Sequence, residues 1–185
     1  MSRYRRSHRP WGAYFLTIVA HDRPSLFRDA AARRLLGDAM RSTFVKHPLT
    51  IHESALLPDH PHIPCGVPDE SQNCSIRIQQ FKRRFTRAWL AQGGQEWQRS
   101  ESKPRRDSRG VWRKRFHEQT IRNQWEFQDH VVYTLMTPVK PAPARRAADW
   151  PWSTMHRHPR DGTLTEDERG PIEPRGAGEP EGEVW

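Results

Sequence analysis

Apolar residues along the chain follow two rhythms, one of strands and one of helices. Ala13–Ala20 (AYFLTIVA) is a dense run of aromatic and β-branched residues between Gly12 and the turn-like His21–Pro24, and predicts a buried strand. From Leu26 to Lys46 the apolar positions Ala31, Leu35, Ala39, Met40 and Phe44 fall on one helical face. Leu49–Leu57 (LTIHESALL) alternates imperfectly and predicts a second strand, leading into the DHPH segment as a third. A second helix is predicted from Cys74 to Leu90, with Ile76, Ile78, Phe81, Phe85 and Trp89 near one face and FKRRFTR making the other basic. A polar, basic loop over 92–110 follows, and VWRKRFHEQTI is extended. A third helix, from Trp125 to Met136, carries Trp125, Phe127, Val131, Val132 and Leu135 before Pro138 and Pro141 end it. This order predicts an α+β fold, ferredoxin-like or RRM-like, in which helices flank an antiparallel sheet. Residues 1–158 form the expected domain, and 159–185 an acidic, Gly/Pro-rich tail expected to be disordered.

Charge adds a partner to this picture. The formal net charge is +9, but residues 161–185 carry −6, which leaves +15 on the rest. Such an excess on one small domain points to a polyanion, above all nucleic acid. Arg3, Arg5 and Arg6 surround Tyr4, a combination of charge and stacking suited to a single strand or hairpin flank. Lys82, Arg83, Arg84 and Arg87 on the second helix, with Arg113, Lys114 and Arg115 beyond the loop, extend the positive field. Phe81, Phe85 and Trp89 read as core rather than as base-stacking platforms. Cys65 and Cys74 form no CxxC pair, so neither a disulfide framework nor a cysteine zinc site is indicated. No apolar run reaches the roughly 18 residues that would cross a membrane, and the chain reads as cytoplasmic.

Candidate chemistry lies in LLPDHPHIPCG, residues 56–66. His60 and His62 flank one residue, the spacing by which a strand presents two imidazoles on one face. Such a pair can hold a metal ion open to water and substrate, although in a chain with ten histidines the spacing also arises by chance. Between them stands Pro61, and Pro64 follows. In a central strand Pro61 would leave one partner carbonyl unpaired, at a cost of about 1–3 kcal/mol, while proline's φ still permits the extended backbone that aligns the histidines. On the third helix, Tyr133 is one of three tyrosines, with Thr137 one turn on. A tyrosine hydroxyl becomes a useful nucleophile only beside a base or cation. On spacing alone, Tyr133 reads first as a residue packed on the sheet with its hydroxyl at the rim.

Six segments, in order, resemble the REP-associated tyrosine transposases, single-tyrosine members of the HUH nuclease superfamily: MSRYRRSHRPWGAYFLTIV, HPLTIHESALLPDHPH, FKRRFTRAWLA, GVWRKRFHEQTIRN, DHVVYTLMTPVK and DWPWSTMHRH. The resemblance implies a sheet-centred HUH fold that binds single-stranded or hairpin DNA at short palindromic repeats. It implies that His60 and His62 hold a divalent metal, Mg²⁺ or Mn²⁺, and that Tyr133 attacks DNA to leave a 5′-phosphotyrosine link and a free 3′-hydroxyl. No nucleotide cofactor is implied. The chain departs from the family pattern at Pro61, where a large apolar residue is usual, at Ile63–Gly66, at Val132, and at Thr137, where Asn is expected as a further metal ligand. A threonine hydroxyl is the weaker ligand. An alternative is therefore a catalytically impaired relative that still binds DNA hairpins. An RNA-binding domain of RRM-like topology ranks last, because the chain lacks the aromatic strand signature. Monomer and homodimer both remain open.

Overall fold

A computed structural model describes residues 12–68, 73–97, 109–139 and 145–157. The expected N-terminal arm of Arg3, Tyr4, Arg5 and Arg6, and the acidic tail, lie outside these. Strands β1 (Ala13–Thr17), β2 (Thr50–Ile51), β3 (Ala55–Leu56), β4 (Pro61–Gly66) and β5 (His117–Thr120) form one sheet. Its order is β2–β4–β1–β5, and β3 also pairs with β4. Every pairing is antiparallel. Helices α1 (Ala30–Lys46), α2 (Cys74–Ala91) and α3 (Gln124–Met136) complete an α+β fold.

Strand alternation divides the sheet into two unlike faces. Tyr14, Leu16, Ile18, Ile63 and Cys65 point into the main core, where Leu35, Leu36 and Ala39 of α1 meet Ile78, Phe81 and Phe85 of α2. Phe15 points the other way, toward Tyr133 of α3 and Ile121. The expected first helix begins late because Asp29, with extended φ and ψ, caps it by accepting from the Ala32 amide. On α2 the buried face is Cys74, Arg77, Ile78, Phe81 and Phe85, so Ile76 turns outward, contrary to expectation. Arg77 is buried because its guanidinium donates to the carbonyls of Pro48 and Asn73.

The prolines of β4 sit where the ladder is already interrupted. Toward β1, the bonds from Ile18 N to Pro61 O and from Val67 N to Gly12 O mark every second pair. The donor that Pro61 lacks would therefore face Ile18, one residue past the last paired position, Thr17 opposite His62. Pro64 faces the other neighbour. There Ile51 pairs with Cys65 and Ala55 with His62, so that strand holds one extra residue. The amides of His52 (3.0 Å) and Glu53 (3.4 Å) both reach the Pro64 carbonyl, which is a β-bulge. The single expected strand over 49–57 is split into β2 and β3 for this reason.

The DWPWST segment secures the bulge. The Leu56 amide donates to the Trp152 carbonyl, the Trp150 indole donates to the Leu56 carbonyl, and the Thr154 amide donates to the Ser54 carbonyl. The Thr154 hydroxyl accepts from the Ser54 amide and donates to the Glu53 carboxylate. Substituting Thr154→Val leaves the Ser54 amide without this acceptor, and is expected to lower unfolding free energy by about 1–3 kcal/mol in urea titrations.

Of the apolar stripe read from its sequence, α3 fully buries only Leu135. Its buried residues are His130, Tyr133, Thr134 and Leu135, while Trp125 is 78% exposed. The sheet face it covers carries histidines, so polar and aromatic side chains fit there better than aliphatic ones. His130 stacks on Phe15 (4.5 Å between ring centroids, 19° between planes). Burial lowers the His130 pKa to about 4; Glu126 and Asp129 partly oppose this, and His117 adds to it. An unfolded histidine titrates near 6.5, so between these values the unfolded chain holds the extra proton. Stability from this group is complete above about pH 6.5 and falls by up to about 1.4 kcal/mol per unit as pH drops to about 4. His130→Phe, which keeps a ring on Phe15, is expected to flatten that slope in urea titrations across the same range.

Candidate active site

β4 presents His62 on the α3 face of the sheet, opposite Thr17 of β1. His60, two residues earlier, shares that face, and both histidines are buried. Their Nε2 atoms lie 3.2 Å apart, with the rings nearly perpendicular (84°). The backbone direction that Pro61 could have disturbed is preserved.

Each ring is held from behind at Nδ1. His60 Nδ1 lies 2.6 Å from Asp59 Oδ1, and His62 Nδ1 lies 2.9 Å from Thr17 Oγ1. The hydrogens follow from the partners. Asp59 can only accept, so His60 carries its proton on Nδ1 and offers a bare lone pair at Nε2. His62 then donates from Nε2 to His60 and accepts at Nδ1 from the Thr17 hydroxyl. Because a hydroxyl also accepts, Thr17 supports the opposite tautomer of His62, in which both Nε2 atoms present a lone pair rather than a proton. Asp59 is steadied by Arg23 at 3.5 Å. Arg23 reaches it from a tight turn in which Asp22 and Arg23 both take positive φ (56° and 47°).

Tyr133 meets this pair from α3. Its ring centroid lies 5.3 Å from that of His62, at 69°, and the residue is 5% exposed. Phe15 contacts all three neighbours: His62 at 5.3 Å, His130 at 4.5 Å and Tyr133 edge-on at 5.8 Å. Thr137, one turn beyond Tyr133, is buried and donates its hydroxyl to the Tyr133 carbonyl (2.6 Å). Its oxygen keeps lone pairs, but the group is tethered to the helix backbone.

The donor set suits a divalent ion in its two nitrogens. A 3.2 Å separation is what neighbouring ligands take when each bond is about 2.1 Å, and each imidazole has the partner at its far nitrogen that metal-binding histidines require. Among the described residues no group of three His, Cys, Asp or Glu side chains converges. Further ligands would therefore come from Thr137, water or substrate oxygen.

The expected basic residues fall elsewhere. Arg83, Arg84 and Arg87 are exposed on α2, across the sheet from the histidine pair, and Lys114 and Arg115 are exposed before β5, with Arg113 half-buried. Lys82 does not share that surface. Its ammonium donates to the Arg113 carbonyl at 2.7 Å, and burial lowers its pKa to about 8. Sequence reasoning missed Thr17, Asp59, Phe15 and His130. Asp59 directly precedes His60, and His130 lies one helical turn before Tyr133, so both were within reach of spacing arguments. Thr17 and Phe15 join the site through strand register, which leaves no local signal.

No protein-family model matches the chain. It is 32% identical over 157 residues to a REP-associated tyrosine transposase of Haemophilus influenzae, covering 85% of this chain and 87% of that protein. It is 28% identical over 179 residues to the REP-associated tyrosine transposase of Escherichia coli, covering 97% and 98%. A solved REP-associated tyrosine transposase bound to a REP hairpin matches with a TM-score of 0.74 at 28% identity, over 97% of this chain and 98% of that one. With a histidine pair on the central strand, a tyrosine facing it and relatives that span nearly the whole chain, the protein belongs to the REP-associated tyrosine transposase family.

Proposed function

We propose that this protein cleaves and rejoins single-stranded or hairpin DNA at palindromic repeats, with Tyr133 as nucleophile. The observation that carries the reading is the Tyr133 ring 5.3 Å from His62, whose Nε2 lies 3.2 Å from that of His60. In cleavage the Tyr133 oxygen bonds to phosphorus as the bond to the 3′-oxygen breaks. The tyrosine proton leaves, and the 3′-oxygen takes one up to become a hydroxyl. The phosphodiester is exchanged for a phosphotyrosine ester, so rejoining is the reverse step and needs no nucleotide. Excess positive charge outside the acidic tail draws the DNA, and the reaction belongs in the cytoplasm, where no membrane is involved.

His60 and His62 would hold a divalent ion, Mg²⁺ or Mn²⁺, with Thr137 as a weak oxygen donor. When bound, such an ion supplies Lewis-acid polarisation of a phosphoryl oxygen. Asp59 fixes the tautomer that frees His60 Nε2, and Thr17 allows His62 to match it. Phe15 keeps the Tyr133 ring and the His62 ring at fixed separation.

A second reading follows from Thr137, whose short side chain is bonded to the Tyr133 carbonyl. With that donor weak, the chain would bind hairpins while cleaving them poorly. The two readings separate in one assay, using labelled hairpin oligonucleotides with Mn²⁺ or Mg²⁺. A covalent protein–DNA band that Tyr133→Phe abolishes establishes the nuclease. Hairpin binding without a covalent band at high protein and Mn²⁺, with cleavage gained on Thr137→Asn, establishes the impaired relative. Separately, Asp59→Asn is expected to weaken Mn²⁺ binding about 10- to 100-fold, as loss of a partner behind a metal-bound histidine does, read by calorimetry on the DNA-free protein.

A further inference from the structure

Trp125 is 78% exposed in the first turn of α3. Among the described residues, the other large exposed apolar side chains are Val45 and Ile76, on the helices across the sheet, and Trp152, whose ring carries Arg33 at 4.1 Å. Trp125 alone leaves a bare aromatic face on the helix that bears the candidate nucleophile. Helical geometry puts it about 12 Å along the axis and about 80° around it from Tyr133. It thus stands on the flank adjoining the tyrosine, away from His130 and Thr134, which face the sheet. An indole in water leaves a large apolar area unburied, and a flat π-surface is suited to a nucleobase.

The charges around it favour a base over a phosphate. Asp129, one turn further on the same flank, repels a phosphate. Arg122, just outside the helix, is half-engaged with Glu126 at 3.7 Å and keeps its side chain 67% exposed. A strand passing along this flank would stack a base on Trp125 and keep its backbone on the Arg122 side.

We infer that Trp125 is a stacking platform for an unpaired nucleobase in the strand that flanks the hairpin and runs to Tyr133. The inference rests on the reading of Tyr133 as the DNA-cleaving residue for its direction, but its test does not require cleavage. Stacking tolerates any base, so an oligothymidine flank serves as probe. Fluorescence anisotropy with the full chain would compare one labelled hairpin in three forms: blunt, with a short oligothymidine flank, and with an abasic flank of equal length. Trp125→Ala is expected to lose about 5- to 100-fold in affinity for the thymidine-flanked hairpin, the range of one base stack. It should lose nothing on the blunt or abasic forms, and Trp125→Phe should recover most of the loss. Equal affinity of Trp125→Ala and wild type for the thymidine flank overturns the inference, as does an equal loss on all three forms. Absence of a covalent band from both the wild type and Thr137→Asn would instead count against Tyr133 as nucleophile and leave this comparison standing.

Discussion

The bulge opposite Pro64 is the constraint on which the site depends. A central strand with two prolines lacks two ladder donors, and a regular partner strand would leave carbonyls facing nothing. The partner gains one residue at His52–Glu53 instead, and both amides converge on the Pro64 carbonyl. The ladder then resumes in the register that sets Ala55 opposite His62. A slip of one residue there would turn over the faces of Ala55 and Leu56 beside the histidine strand. The DWPWST segment bonds to Glu53, Ser54 and Leu56, so residues nearly a hundred positions downstream in sequence help to fix the register of the histidine strand.

A second division of labour runs through the sheet. The face under α1 and α2 is mainly aliphatic and aromatic, with the buried Arg77 matched by backbone carbonyls. The face under α3 holds His60, His62, Thr17 and His130 around Phe15, and each buried nitrogen there must be matched or tolerated. Asp59 and Thr17 match the histidine pair. Neutral His130 tolerates burial at the cost of proton affinity. The main apolar core and the histidine pair thus lie on opposite faces of one sheet.

The basic residues show how charge counted along a sequence differs from charge offered to a partner. Arg83, Arg84 and Arg87 remain at the surface of α2, but Lys82 beside them is spent on the Arg113 carbonyl. The same lysine ties α2 to the segment bearing Lys114 and Arg115. A residue read as a ligand for DNA serves instead to join α2 to two exposed basic side chains.

By itself the sequence determined the periodic elements, the α+β class, the histidine spacing and the tyrosine one turn before Thr137, because each is written in spacings of a few residues. The three helices and the buried β1 followed from that rhythm. What it misjudged were positions where tertiary context overrode local pattern: the split of residues 49–57, the outward turn of Ile76 and Trp125, and the inward turn of Lys82. Only the tertiary structure decided which residues complete the site. Thr17 and Phe15 meet His62 and Tyr133 through strand register and helix placement, contacts between residues 45 or more positions apart, for which no local spacing carries a signal.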